Sequence, residues 1–164
     1  MTVDVRSYDP DGDEAALWSL KRAFEHELGS KTGDGAKEAK YAAKLDEDYR
    51  DRYLAWAGRC HADDPDTIAL AVDDGDVIGY VFVLPAELSM IWDAAVLNEI
   101  FVDPDHRGSG VADRLMEWAI AVAGSQSLPL DRLVLDVDPD NERAARFYRR
   151  YGFESWGELV AIDL

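Results

Sequence analysis

Residues Asp103 to Ala119 read "DPDHRGSGVADRLMEWA", and this joint constrains the fold more than any other stretch. A β-favouring run, Val96 to Val102, stops at Pro104. Arg107, Gly108, Gly110 and Ala112 follow, and a helical pattern then starts, with Leu115, Trp118 and Val122 on one face. The first amides of a helix have no partner inside it, and its dipole favours negative charge there. Gly108 and Gly110 let an anion approach the backbone, Ala112 keeps the first turn shallow, and Arg107 offers a charged donor. The joint therefore predicts a diphosphate seat. Neither GxGxxG nor the P-loop pattern is met, and a dinucleotide fold would place such a joint first in the chain, not after a hairpin.

The elements around the joint alternate. Val3 to Tyr8 reads as a strand. Helices are expected from about Glu14 to Leu28 and from Lys37 to Cys60, the second on the spacing of Ala42, Leu45, Tyr49, Tyr53, Trp56 and Cys60. "TIALAVDDGDVIGYVFVLPAE" is two strands turned at Asp74-Gly75. The strand before Pro104 and a helix from Gly110 to Val122 follow. "RLVLDV" is a buried strand, Asn141 to Tyr151 a helix, and "FESWGELVAIDL" a closing strand. The order β-α-α-β-β-β-α-β-α-β predicts a mixed α/β fold, one mixed sheet with helices on its faces, in a single domain over residues 1–164.

Composition excludes several classes. Thirty-four acidic residues against seventeen basic ones leave a formal charge of -17, which repels phosphate backbones and anionic lipid; neither nucleic acid nor membrane is an expected partner. The acidity, dominated by aspartate, resembles that of proteins from halophiles. No bilayer-length apolar run or signal-peptide pattern is present, so a cytoplasmic location is expected. Cys60 is the lone cysteine and falls in phase with an apolar helical stripe, which favours a buried structural thiol over a nucleophile. The aspartates at 136, 138 and 140 start like a calcium loop, but Asn141 and Phe147 occupy the positions that need glycine and glutamate, so no metal is expected.

Arg107-Gly108-Ser109-Gly110-Val111-Ala112, an Arg-x-x-Gly-x-Ala pattern behind the strand "LNEIFVDP", resembles the pyrophosphate-binding motif of the GNAT superfamily of acetyl-CoA-dependent N-acetyltransferases. "NERAARFYRRYGF", with Asn141, Ala144, Tyr148, Gly152 and Phe153, is similar to that family's second signature. The resemblance implies a GNAT-like fold with a splayed central parallel strand pair, acetyl-CoA as co-substrate, and acetyl transfer to a primary amine by direct attack. It assigns coenzyme contacts to Ile100, Phe101, Val102, Arg107, Gly108, Ser109, Gly110, Val111, Ala112, Asn141 and Tyr148. An amide of Ile100 or Phe101 would polarise the thioester carbonyl.

Two residues are candidates for proton transfer. Tyr148 would protonate the leaving thiolate; a core tyrosine with a satisfied hydroxyl explains it equally well. Glu99 would act as base through a water, or be a surface or acceptor-binding carboxylate. Asn141 either caps its helix or also bonds the coenzyme's arm. The rival class is a non-catalytic acyl-CoA-binding sensor or interaction module on the same fold. The acceptor would be held by the first two helices, the loop Gly29 to Gly35 and the segment Leu84 to Trp92. Its identity stays open. The last strand, with Trp156 and Val160, offers a pairing edge for a homodimer.

Overall fold

The computed structural model describes residues 2–31 and 35–164. Among these residues five strands form one sheet in the order β1-β2-β3-β4-β5: β1 (Val3–Ser7), β2 (Ile68–Asp73), β3 (Asp76–Val83), β4 (Ala95–Val102) and β5 (Leu133–Val134). Neighbours β1 to β4 run antiparallel, and β5 joins β4 in parallel, so the sheet is mixed as expected. Asp74 (φ 50°) and Gly75 (φ 87°) turn the β2–β3 hairpin, the left-handed pair that a two-residue turn needs.

Five helices cover the two faces. On one, α1 (Glu14–Lys31) and α3 (Glu47–Asp63) pack Leu17, Leu20, Leu54, Ala57 and Cys60 against Ile68, Leu70, Phe82 and Phe101. On the other, α4 (Val111–Ser125) buries Val111, Leu115, Met116, Ala119 and Val122 against Ala69, Ala71, Val81 and Leu97. Close approach of α4 depends on Gly79, where a Cβ would stand 2.8 Å from the Phe101 carbonyl oxygen and 3.3 Å from Leu115. Helix α5 (Glu142–Arg150) is held to α4 by Asp113, which accepts from Arg150 at 2.7 Å and from the Tyr151 hydroxyl at 2.5 Å.

Four expectations need correction. The buried strand expected over "RLVLDV" is the two-residue β5, half-buried at both positions. The single helix over Lys37 to Cys60 is two: α2 (Gly35–Lys44) ends, and Asp46 opens α3 by accepting the Tyr49 amide at 2.8 Å. An aspartate cap competes with helix continuation without needing a glycine or proline, and the apolar spacing runs on through it. The first helix also reaches Lys31 and not Leu28, so only residues 32–34 of the expected Gly29 to Gly35 loop separate the helices, and those lie outside the described residues. The closing strand does not form. Residues 153–164 carry its alternating pattern, but a strand needs a ladder, and β5 supplies only two paired residues at the sheet's edge; Val160 and Ile162 stay 81 % and 86 % exposed.

The feature that positions the site is a fork. β4 and β5 pair only at Ala95–Leu133 and Val96–Val134, then part, while β4 runs six residues further. The edge of β4 from Leu97 to Val102 faces an opening instead of a strand.

Candidate active site

A cleft of about 830 Å³ follows the fork, lined along β4 from Leu97 to Val102, along the β5 side by Leu135 to Asp138, and at one end by Arg107, Gly108 and the start of α4. At that end the backbone is shaped by two left-handed glycines, Gly108 (φ 81°) and Gly110 (φ 85°). Gly110 is the residue before α4, and no side chain caps the helix; its first internal amide bond is Arg114 to the Gly110 carbonyl, at 3.2 Å. The amides of Val111, Ala112 and Asp113 thus head the helix with no intrahelical acceptor, the arrangement that binds anions. A Cβ on either glycine would meet nothing within 4 Å, and both glycines border the cleft beside Val111, Ala112 and Asp113.

Arg107 borders the cleft and is also tied to the protein's own groups. Its Nε donates to the Val102 carbonyl at 2.9 Å, its guanidinium lies 5.3 Å from the Phe101 ring centre, and its Nη2 donates to Glu27 of α1 at 2.8 Å. Arg143, from the first turn of α5, donates to the same carboxylate. Glu27 therefore joins the loop before α4, α1 and α5.

Asn141 caps α5, its side chain accepting from the Ala144 amide at 3.3 Å, and also lines the cleft. Tyr148, two helical turns on, lines it too, packed 5.6 Å from Phe147 and 5.7 Å from Phe153 between ring centres. Burial pushes its phenol up to about 12, so it stays protonated at any physiological pH. Ile100, Phe101, Val102, Gly108, Gly110, Val111 and Ala112 all border the same space.

Glu99 is 6 % exposed and fully engaged: Oε2 accepts from Lys21 at 2.5 Å, and Oε1 from Tyr53 at 2.6 Å and Tyr80 at 3.1 Å. Lys21 also donates to Glu25, and Lys44 closes on Glu25 Oε2 at 2.9 Å. Burial alone would lower the Lys21 ammonium's pKa, but the charges of Glu99 and Glu25 outweigh it and hold it above its ordinary value. Burial likewise opposes the Glu25 carboxylate, yet Lys21 and Lys44 hold it below its ordinary value. Burial and then the Glu99 charge raise Tyr53 and Tyr80 well above 10. This ionic floor was missed by pattern reading. Its signal was Lys21, a charge on the stripe of Leu17, Leu20 and Phe24, with Glu25 four residues on. Cys60, by contrast, is buried and pushed up to about 11 by that burial, no thiolate nucleophile.

Residues 23–153 match the model of the acetyltransferase (GNAT) family. The peptidyl-lysine N-acetyltransferase YjaB of Escherichia coli is 35 % identical over 68 residues, 42 % of each chain. The mycothiol acetyltransferase of Acidothermus cellulolyticus is 30 % identical over 98 % of this chain and 47 % of its own. These matches thus span less than half of the curated relatives' length. Among solved structures, the PaiA N-acetyltransferase of Thermoplasma acidophilum, in complex with coenzyme A, superposes with a TM-score of 0.71 over 94 % of this chain and 91 % of that one, at 17 % identity.

Proposed function

The chain belongs to the GNAT family of acetyltransferases, and on that premise we propose that it moves the acetyl group of acetyl-CoA to a primary amine by direct attack. The observation that carries this is the uncapped start of α4 behind Gly108 and Gly110, opening into the β4–β5 fork. In this reading the amides from Gly108 to Ala112, Ser109 and Val111 included, hold the coenzyme's diphosphate. The pantetheine arm lies along the free edge of β4 and supplies the ladder partners that β5 withdraws. An amide of Ile100 or Phe101 donates to the thioester carbonyl, where charge develops as the amine attacks.

Tyr148 is the proton donor to the departing thiolate. Its phenol, held at about 12, is protonated when the thiolate departs, and its place in the cleft supports that role over one in a passive binding module. Arg107 is a positioning residue, tying the loop to β4 and α1. Glu99 acting as base needs one of its three hydrogen bonds to break; we assign it to fixing Lys21 and the tyrosines under the acceptor end, with the amine's proton passing to solvent.

The acceptor end, bordered by Phe24, Tyr41, Tyr49 and Trp56, suits an aliphatic primary amine. The similarity to a peptidyl-lysine acetyltransferase supports that class. Titrating the chain with acetyl-CoA by calorimetry, then following thiol release over a panel of primary amines, tests the reading. Saturable binding and amine-dependent release are expected; binding with no release from any amine returns the chain to the non-catalytic class.

A further inference from the structure

The chain has five lysines, at 21, 31, 37, 40 and 44, all within one stretch of twenty-four residues. Three of them, Lys21, Lys37 and Lys44, border the cleft that also holds β4 and Tyr148. Their surroundings differ. Lys21 is 4 % exposed and clamped between Glu25 and Glu99. Lys37 is 2.5 Å from Asp138, on the β5 side. Lys44, the last residue of α2, has a side chain 37 % exposed, with its ammonium 4.6 Å from the centre of the Tyr41 ring, 5.5 Å from that of Tyr49 and 2.9 Å from Glu25. Two aromatic faces and one carboxylate around an alkylammonium form a cage that recognises a primary amine on a flexible stem. The chain fills this cage with its own side chain, at the acceptor end of the cleft.

We propose that Lys44 is an internal acceptor, its ε-amino group taking the acetyl group from acetyl-CoA bound in the same cleft. The inference rests on the acetyltransfer reading above. The ammonium first gives a proton to solvent, to which it is open. The nitrogen lone pair then forms a bond to the thioester carbonyl carbon. The carbon–sulfur bond breaks with its electrons on sulfur, the nitrogen gives its second proton to solvent, and the thiolate takes the Tyr148 phenol proton, which solvent restores. The products are Nε-acetyl-lysine and coenzyme A.

The position of Lys44 gives the modification a consequence. An acetamide carries no charge, so the pair with Glu25 and both cation–ring contacts are lost together. The end of α2 loses its tie to α1, and Glu25, Tyr41 and Tyr49 become available to the ammonium of an external acceptor. Glu25 keeps Lys21 as a counter-ion, so the carboxylate is not left bare by the change.

Lys40, one turn earlier on α2, is a built-in control. Its side chain is 65 % exposed and pairs with Asp163 on the surface, where unassisted acetylation by the thioester would act first. The whole chain is incubated with acetyl-CoA and no added amine, and acetyl occupancy at each lysine is followed by peptide mass spectrometry. Lys44 is expected to react at least ~10-fold faster than Lys40, at a rate per molecule independent of protein concentration. Tyr148→Phe is expected to slow Lys44 by roughly 10²-fold, as loss of a general acid does, and to leave Lys40 unchanged. Lys40 keeping pace with Lys44, or the two responding alike to Tyr148→Phe, overturns the proposal. So does a rate that scales with protein concentration. Propylamine-dependent thiol release by the same preparation, with Lys44 unmodified, sinks the internal acceptor alone. Absence of acetyl-CoA binding by calorimetry sinks the reading beneath it.

Discussion

Arg107 reaches from the glycine loop back to Glu27 on α1, donating to its two carboxylate oxygens at 2.8 and 3.1 Å while Arg143 of α5 takes the same carboxylate from the other side. Side chains of Arg107 and Glu27 are only 22 % and 15 % exposed, so solvent screens this pair less than a surface one. Glu27→Gln keeps the shape and removes the charge that holds two arginines. It is expected to cost about 1.5–3 kcal/mol in urea-induced unfolding, the range for hydrogen bonds to charged groups. Acetyl-CoA affinity should fall with it, because Arg107 then keeps its tie to Val102 and Phe101 and loses the charged one to α1. Unchanged stability with unchanged affinity would show the bridge to be idle.

That bridge also marks where reading the sequence stopped. Arg107 was found by its spacing to Gly110 and Ala112, because the chemistry of a helix start depends on residues next to one another. The direction of its side chain was not legible: Glu27 is eighty residues away, and a carboxylate in a chain with thirty-four acids carries no pattern of its own. The fork was legible only through the family resemblance, since β5 pairs at two residues while the apolar run "RLVLDV" reads as a full strand. The α2–α3 break was hidden for a different reason. Asp46 caps α3 by a local hydrogen bond that leaves the three-and-four apolar spacing undisturbed.

Tyr148→Phe should separate binding from chemistry. The ring packing on Phe147 and Phe153 survives, so the dissociation constant of acetyl-CoA should change little. Turnover should drop by roughly 10²-fold, within the usual range for a positioned acid. Burial holds the phenol at about 12, so in the wild type the pH profile of kcat should show no falling limb from this group below about pH 11. A falling limb near pH 10 that vanishes in the phenylalanine variant would contradict the shift.

Gly110→Ala tests the anion seat. The added Cβ meets no protein atom within 4 Å, so its structural cost is confined to the left-handed backbone at φ 85°, about 1–2 kcal/mol. Gly110 borders the cleft beside Val111, Ala112 and Asp113, so the same Cβ stands at the wall of the proposed seat. Coenzyme affinity is therefore expected to fall well beyond what the loss of stability explains, with the circular dichroism spectrum preserved. Gly79→Ala is the contrasting variant: its Cβ would lie 2.8 Å from the Phe101 carbonyl oxygen, and it should unfold or shift the sheet.

The ionic floor sets the pH range of stability. Glu25 titrates lower in the fold than its ordinary 4.5, so its contribution is present above that value and is lost as pH falls through the folded one. Lys21 titrates higher than its ordinary 10.5, so its contribution is present below 10.5 and is lost as pH rises beyond it. Between those limits the pair should add a pH-independent term, and stability should begin to fall as pH drops below about 4.5. Lys21→Met leaves Glu99 and part of Glu25 buried without their cation, which is expected to cost about 3–5 kcal/mol by urea unfolding at neutral pH. A loss below about 1 kcal/mol would mean that water reaches the network.

Salt distinguishes the cleft from the surface around it. The formal charge of the chain is -17, yet the cleft's lining is balanced, six cationic side chains against six carboxylates. Asp113, the acid in the first turn of α4, is neutralised by Arg150 and held by the Tyr151 hydroxyl. The repulsion felt by an anionic coenzyme therefore comes mostly from distant surface charge, which about 1 M KCl screens beyond ~3 Å. In the proposed reading its attraction comes from backbone amides in contact, which salt weakens least. Acetyl-CoA affinity is expected to hold or improve between dilute buffer and molar KCl in isothermal titration. A steep fall would mean that exposed arginines, and not the amides behind Gly108 and Gly110, carry the diphosphate.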